Sequence, residues 1–196
     1  MSTPQQWYRQ NRKCLKNYRG QWIAYDANGI IAHHVDYSRL ITAIPSNAQD
    51  YLIERIDETE FVEPLKFYPV RFNAVKNHEW QPKYPIIFSF EKTRNLNILI
   101  DSGADISLIP YQLGTDLGYH KLPEEINNKG ESVGGIVEYL LRNIEMEIDQ
   151  NRFSAPVAWL QTIDCNEILI GREVVFDLFD IEFKQAEEVI IFKWRN

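Results

Sequence analysis

The sequence predicts a mainly β protein in two parts, a small α+β unit over residues 1–57 and an all-β domain of sandwich or barrel type over residues 68–196. Two observations carry this. From about residue 68 short apolar runs recur with turn residues between them, which is the texture of an all-β domain. Before residue 57 the order strand, strand, helix, strand is legible within a few dozen residues, and residues 58–67, with Pro64 and little apolar periodicity, read as a linker.

The elements follow in order. Residues 4–17 lack glycine and carry their one proline, Pro4, at the start, where a helix tolerates it; Trp7, Tyr8, Leu15 and Tyr18 would form its apolar stripe and Gly20 would end it. Trp22 to Tyr25 and Ile30 to His33, on either side of the turn-prone Asp26-Ala27-Asn28-Gly29, read as a hairpin closed by an Asn28-Gly29 turn. Asp36 or Ser38 would cap a short helix over Tyr37 to Ile44, stopped by Pro45, and Tyr51 to Ile56 would be a third strand. Beyond the linker, strands are expected over Val70–Val75, Ile86–Phe90, Leu96–Ile100, Ile136–Leu141, Ile144–Ile148, Phe153–Trp159, Ile181–Phe183 and Val189–Phe192. The pattern Gly20-Gln21-Trp22-Ile23-Ala24 followed by Gly29-Ile30-Ile31-Ala32-His33 resembles a small bacterial domain of unknown function, which implies a bacterial source and no particular chemistry.

Composition narrows the function classes. The 196 residues are 44% hydrophobic and 25% charged, as in soluble globular proteins, and no apolar run approaches the length of a membrane span. No apolar stretch follows the charged N-terminus, so a secretory signal is not expected. The two cysteines, Cys14 and Cys165, fall in different parts, which argues against a disulfide framework and for a reducing cytoplasm. A net charge of −7 argues against a general nucleic-acid binder. Arg9, Arg12, Lys13, Lys16 and Arg19 precede the first acidic residue, Asp26; the commoner reading of such a cluster is a solvated helix face, the sharper one an anionic partner. His33-His34 is no metal pair by spacing, because neighbours in a strand face opposite ways, and no metal or cofactor is expected.

One segment carries chemistry. Leu96-Asn97-Ile98-Leu99-Ile100 is an apolar strand that delivers Asp101 into the turn Ser102-Gly103-Ala104-Asp105. The strand fixes the carboxylate, the turn's N–H groups are placed to hydrogen-bond it, and Gly103 permits close approach of a neighbour. Alone, Asp-Ser-Gly is a common turn. A second apolar strand, Ile168-Leu169-Ile170, ends in Gly171-Arg172-Glu173 and runs into a short amphipathic segment, Val174 to Leu178.

Together these motifs resemble the retroviral-type aspartic peptidases over residues 84–193. The resemblance implies a closed, retropepsin-like β-barrel with one short C-terminal helix. It implies that Asp101 is catalytic, that Ser102 braces the turn against a partner chain, and that Gly103 and Ala104 border the substrate. Asp105 and Arg172 match an ion pair joining the catalytic turn to the Gly171-Arg172 segment, while Val133, Gly134, Gly135 and Ile136 match the glycine-rich flap. Glu173 departs from the Asn or Asp usual in the family, and the interval from Asp101 to the flap is longer than in the viral enzymes.

The mechanism needs two carboxylates sharing one proton, one ionised to activate water and one protonated to donate to the scissile carbonyl. No second Asp-Ser/Thr-Gly occurs, so a homodimer would supply the partner carboxylate, with a polypeptide as substrate and neither nucleic acid nor membrane as partner. The competing reading is a catalytically silent protein using the same fold for dimerisation or peptide binding. In a third, residues 1–60 gate the cleft or recruit a protein partner. In the viral enzymes terminal strands knit the dimer; Glu188 to Trp194 is a candidate for that role or for closing the chain's own sheet.

Overall fold

The computed structural model describes residues 3–56, 80–132, 135–163 and 165–195. The expected linker 58–67 and the strand expected over Val70–Val75 lie outside the described residues. The chain divides into two compact units, Met1–Gln81 and Pro82–Asn196.

In the first unit, Thr3 begins helix α1 (Pro4–Gln10) with a reciprocal cap, its hydroxyl accepting the Gln6 N–H while the Gln6 side chain accepts the Thr3 N–H. The single helix expected over 4–17 is instead two short ones, α1 and α2 (Arg12–Leu15), followed by a 3-10 turn at Lys16–Tyr18. The break is at Asn11, whose side-chain amide donates to the Trp7 carbonyl at 2.8 Å. A side chain competing for backbone partners in this way favours helix ends over interiors.

Strands β1 (Trp22–Tyr25) and β2 (Ile30–His34) form the hairpin; β3 (Leu52–Arg55) pairs antiparallel with the other edge of β1. The turn is organised by Asp26, whose carboxylate accepts the N–H groups of Asn28 and Gly29; neither of those residues takes the positive φ of a type I′ turn. Helix α3 (Tyr37–Ala43) is capped by Asp36, not Ser38, through the Arg39 N–H at 3.0 Å. Tyr8, Leu15, Ile23, Tyr25, Leu52 and Ile56 make the core, with Trp7, Tyr18 and Ile30 against it.

The second unit is built on β4 (Lys83–Ser89), β5 (Thr93–Ile100), β6 (Ser107–Ile109), β7 (Asn128–Ser132), β8 (Gly135–Ile148), β9 (Asn151–Leu160) and β10 (Leu169–Ile170). The alternation of buried Ile86 and Phe88, of Leu96, Ile98 and Ile100, and of Ile144, Met146 and Ile148 sends one face of each strand inward. β4 pairs with β5 and β8, β8 with β7 and β9, β9 with β6, β6 with β10, and β10, in parallel, with β5. The two strands expected over Ile136–Leu141 and Ile144–Ile148 are one, β8, because Arg142 and Asn143 continue the ladder opposite Val157 and Pro156.

The expectation of one helix in this domain is corrected: helix α4 (Tyr111–Leu117) accompanies the short α5 (Val175–Leu178). Pro110 opens α4 and Gly118, at φ 109°, closes it in the left-handed conformation that glycine tolerates. Gly114 lies directly under the Trp159 ring, and that indole donates to the Tyr111 carbonyl at 3.1 Å. The chain ends in a hairpin of β11 (Phe179–Lys184) and β12 (Val189–Trp194), whose Phe179, Phe192 and Trp194 meet Tyr84 and Phe153 in an aromatic cluster. Val189 to Trp194 is thus paired within its own chain. No helix among the described residues is long and apolar enough to cross a membrane.

Candidate active site

Strand β5 is buried through Ile98 and Ile100, so the first residue beyond it, Asp101, is held from behind while its side chain stands half-buried at the surface. The Asp101 N–H donates to the Ile170 carbonyl at 2.9 Å, extending the parallel β5–β10 ladder by one residue. The chain then turns. The Gly103 N–H donates to Asp101 Oδ1 at 2.8 Å, and the Ala104 N–H to the Asp101 carbonyl at 3.3 Å. The carboxylate is therefore held at one oxygen by the backbone of its own turn. Ser102 and Gly103 are exposed and Ala104 is half-buried. A Cβ on Gly103 would stand 3.2 Å from Asp101 Oδ1, so a side chain there would crowd the carboxylate.

The turn is clamped from the other side by the segment after β10. The Arg172 N–H donates to the Ala104 carbonyl at 2.9 Å and the Glu173 N–H to the Asp105 carbonyl at 2.8 Å. The Arg172 guanidinium also meets the Asp105 carboxylate, joining the two segments as the sequence motifs imply. Both side chains are largely exposed, so the pair contributes only about 0–1 kcal/mol; the backbone bonds beside it hold the geometry. Gly171 is required sterically: a Cβ there would lie 2.4 Å from the carbonyl carbon of Ile106.

Sequence reasoning passed over Ser107. It is 1% exposed, and its Oγ accepts the Gly171 N–H at 3.1 Å. A lone serine next to an apolar run, Leu108-Ile109, gives no signal of this in the sequence.

Of the residues expected to form a flap, Val133 and Gly134 lie outside the described residues. Gly135 and Ile136 begin β8, opposite Ser132 and Glu131 of β7. Gly135 has φ 118°, a conformation open to glycine, and Ile136 is 73% exposed.

Elsewhere, His33 Nδ1 is 2.8 Å from the Gln21 side chain and His34 Nδ1 accepts the Asp36 N–H, so the two rings serve different local bonds. Among the described residues no group of three or more His, Cys, Asp or Glu side chains is arranged to hold a metal ion. Neither Cys14 nor Cys165 forms a disulfide.

No protein-family model matches the chain, and no curated protein matches it. Among solved structures, the EIAV protease complexed with the inhibitor HBY-793 is similar, with a TM-score of 0.40 and 22% identity, over 54% of this chain and 94% of that one.

Proposed function

We propose that the chain is an aspartic-type endopeptidase whose Asp101 works with the Asp101 of a second copy. The observation that carries the reading is the placement of Asp101: a buried strand delivers it, the Gly103 N–H holds one of its oxygens, and the other oxygen accepts no bond from the turn. That leaves one face of a fixed carboxylate for a water and a second carboxyl group. Two such groups about 3 Å apart hold one proton between them, so one acts as base toward the water and the other as acid toward the scissile carbonyl. The cycle of ladders β5-β10-β6-β9-β8-β4 supports a closed barrel as the frame, and the β7–β8 hairpin ending at Gly135 and Ile136 supports a flap over an extended polypeptide.

The test is cleavage of a diverse peptide mixture by the full-length protein between pH ~4 and 7, where a carboxyl dyad holds one proton. Asp101→Asn, which preserves shape and removes the charge, is expected to abolish cleavage while the fold and oligomeric state persist. Cleavage that survives Asp101→Asn would refute the assignment. No cleavage by the unaltered protein would favour the silent dimerisation or peptide-binding module.

A further inference from the structure

Ser107 is one of two buried polar or charged side chains among the described residues, and the only one in the second unit. Its hydroxyl does not complete a turn or a helix cap. It accepts the N–H of Gly171, far along the chain, in a buried hydrogen bond. What makes this bond informative is the other end of the same peptide. The Ile170–Gly171 peptide unit presents its C=O to the Asp101 N–H at 2.9 Å and its N–H to Ser107 Oγ at 3.1 Å. A peptide unit is planar and rigid, so rotating one end necessarily moves the other. Asp101 and Ser107 thus hold opposite edges of one plate.

The neighbouring bonds hold the peptides that follow the plate. Arg172 and Glu173 donate to Ala104 and Asp105, so the next two N–H groups find backbone acceptors in the catalytic turn. Gly171 is too close to the Ile106 backbone to carry a side chain, and its N–H is supplied with an acceptor by Ser107 alone. Ser107 is itself anchored, paired in parallel with Val157 of β9, while the next residue, Leu108, pairs with Leu169 of β10. The hydroxyl therefore sits where three strands meet.

We infer that Ser107 is a positioning residue for Asp101, acting through the Ile170–Gly171 peptide; the role in catalysis rests on the peptidase reading above. With the hydroxyl gone, the Gly171 N–H is left buried without its acceptor, and the peptide is free to tilt toward another one. The Asp101 N–H follows, and the carboxylate leaves the alignment that its turn imposes. Misplacement of a reacting group by about 1 Å is enough to cost on the order of a hundredfold in rate.

The test compares Ser107→Ala, Ser107→Thr and Ser107→Cys in the full-length protein. Cysteine keeps the volume but is a weak acceptor, so it serves if the alanine variant does not fold. Two readouts need no activity: hydrogen exchange of the Gly171 amide, and the titration of the Asp101 carboxyl carbon followed by NMR. The expected result is faster Gly171 exchange and a displaced Asp101 titration in Ser107→Ala and Ser107→Cys, with both restored in Ser107→Thr. In the cleavage assay, kcat is expected to fall about tenfold or more with KM little changed, and threonine is expected to rescue it. An Asp101 titration unchanged in Ser107→Ala and Ser107→Cys, despite faster Gly171 exchange, would overturn the inference and leave Ser107 a purely structural hydroxyl. If the unaltered protein cleaves nothing, the peptidase reading fails, but the Asp101 titration still decides whether Ser107 positions it.

Discussion

Gly171→Ala isolates the clamp that holds the Asp101 turn. The new methyl group would lie 2.4, 2.6 and 2.8 Å from the carbonyl carbon, oxygen and nitrogen of Ile106. All three are backbone atoms, so no rotamer change relieves the contact. Gly171 does not take a positive φ, so alanine meets no conformational penalty of its own there and the effect is steric. Restoring ordinary contact, about 3.5 Å or more between carbons, requires the segments to part by roughly 1 Å. The bonds that join them, Asp101 to Ile170, Arg172 to Ala104 and Glu173 to Asp105, are 2.8–2.9 Å long and would stretch past useful length. Losing two of them at about 0.5–1.5 kcal/mol each, with about 1–3 kcal/mol of overpacking strain, gives a destabilisation of roughly 2–6 kcal/mol. With a urea slope of about 2 kcal/mol per molar, the unfolding midpoint should fall by about 1–3 M. Gly130→Ala is the control, because its methyl would meet only the rim of the Tyr139 ring at 3.2 Å, and a ring can yield. A Gly171→Ala midpoint within about 0.3 M of the unaltered protein would refute the claim that the two segments are closely clamped.

Gly114→Ala would drive a methyl group to 2.3 Å from the Trp159 indole, and should lower stability by about 1–3 kcal/mol and red-shift the tryptophan emission as α4 lifts off β9; unchanged emission would count against that packing. Burial, opposed by the Arg142 charge, pushes the Tyr119 hydroxyl up to about 12 from 10.0. A group whose folded value is raised stabilises the fold fully below its unfolded value and loses that contribution as pH rises through the folded one, so an alkaline loss of stability is expected between pH 10 and about 12. Tyr119→Phe, which also lacks the hydroxyl that donates to the Asn143 carbonyl at 2.7 Å, should be less stable at neutral pH and show a shallower decline in that window; an equal decline would assign it to other groups.

Much was legible in the sequence because it is encoded locally. The apolar run Leu96 to Ile100 followed by Asp-Ser-Gly states both the strand and where it stops, and the Gly103 N–H duly reaches the carboxylate. Asp36, one of the two residues expected to cap α3, does so through a short-range hydrogen bond to a neighbour three residues away, whereas the expected Asn-Gly turn is instead held by the Asp26 carboxylate. The break at Asn11 was missed because an apolar stripe says nothing about a side chain that competes for the helix's own carbonyls.

Tertiary structure decided the rest. β6 is three residues long, too short for any period to register, and it exists because partners from distant parts of the chain complete its hydrogen bonds. Helix α4 holds Gly114 within it, a poor helix former that is there because the Trp159 ring leaves no room for a side chain. Ser107 is the clearest case. As a residue type it predicts nothing; its meaning comes from a peptide unit more than sixty residues away, |i−j| = 64, brought into contact only when β10 lies between β5 and β6. A linear pattern specifies what each segment can do for itself, whereas the acceptor for a buried N–H is chosen by whichever atom folding places opposite it.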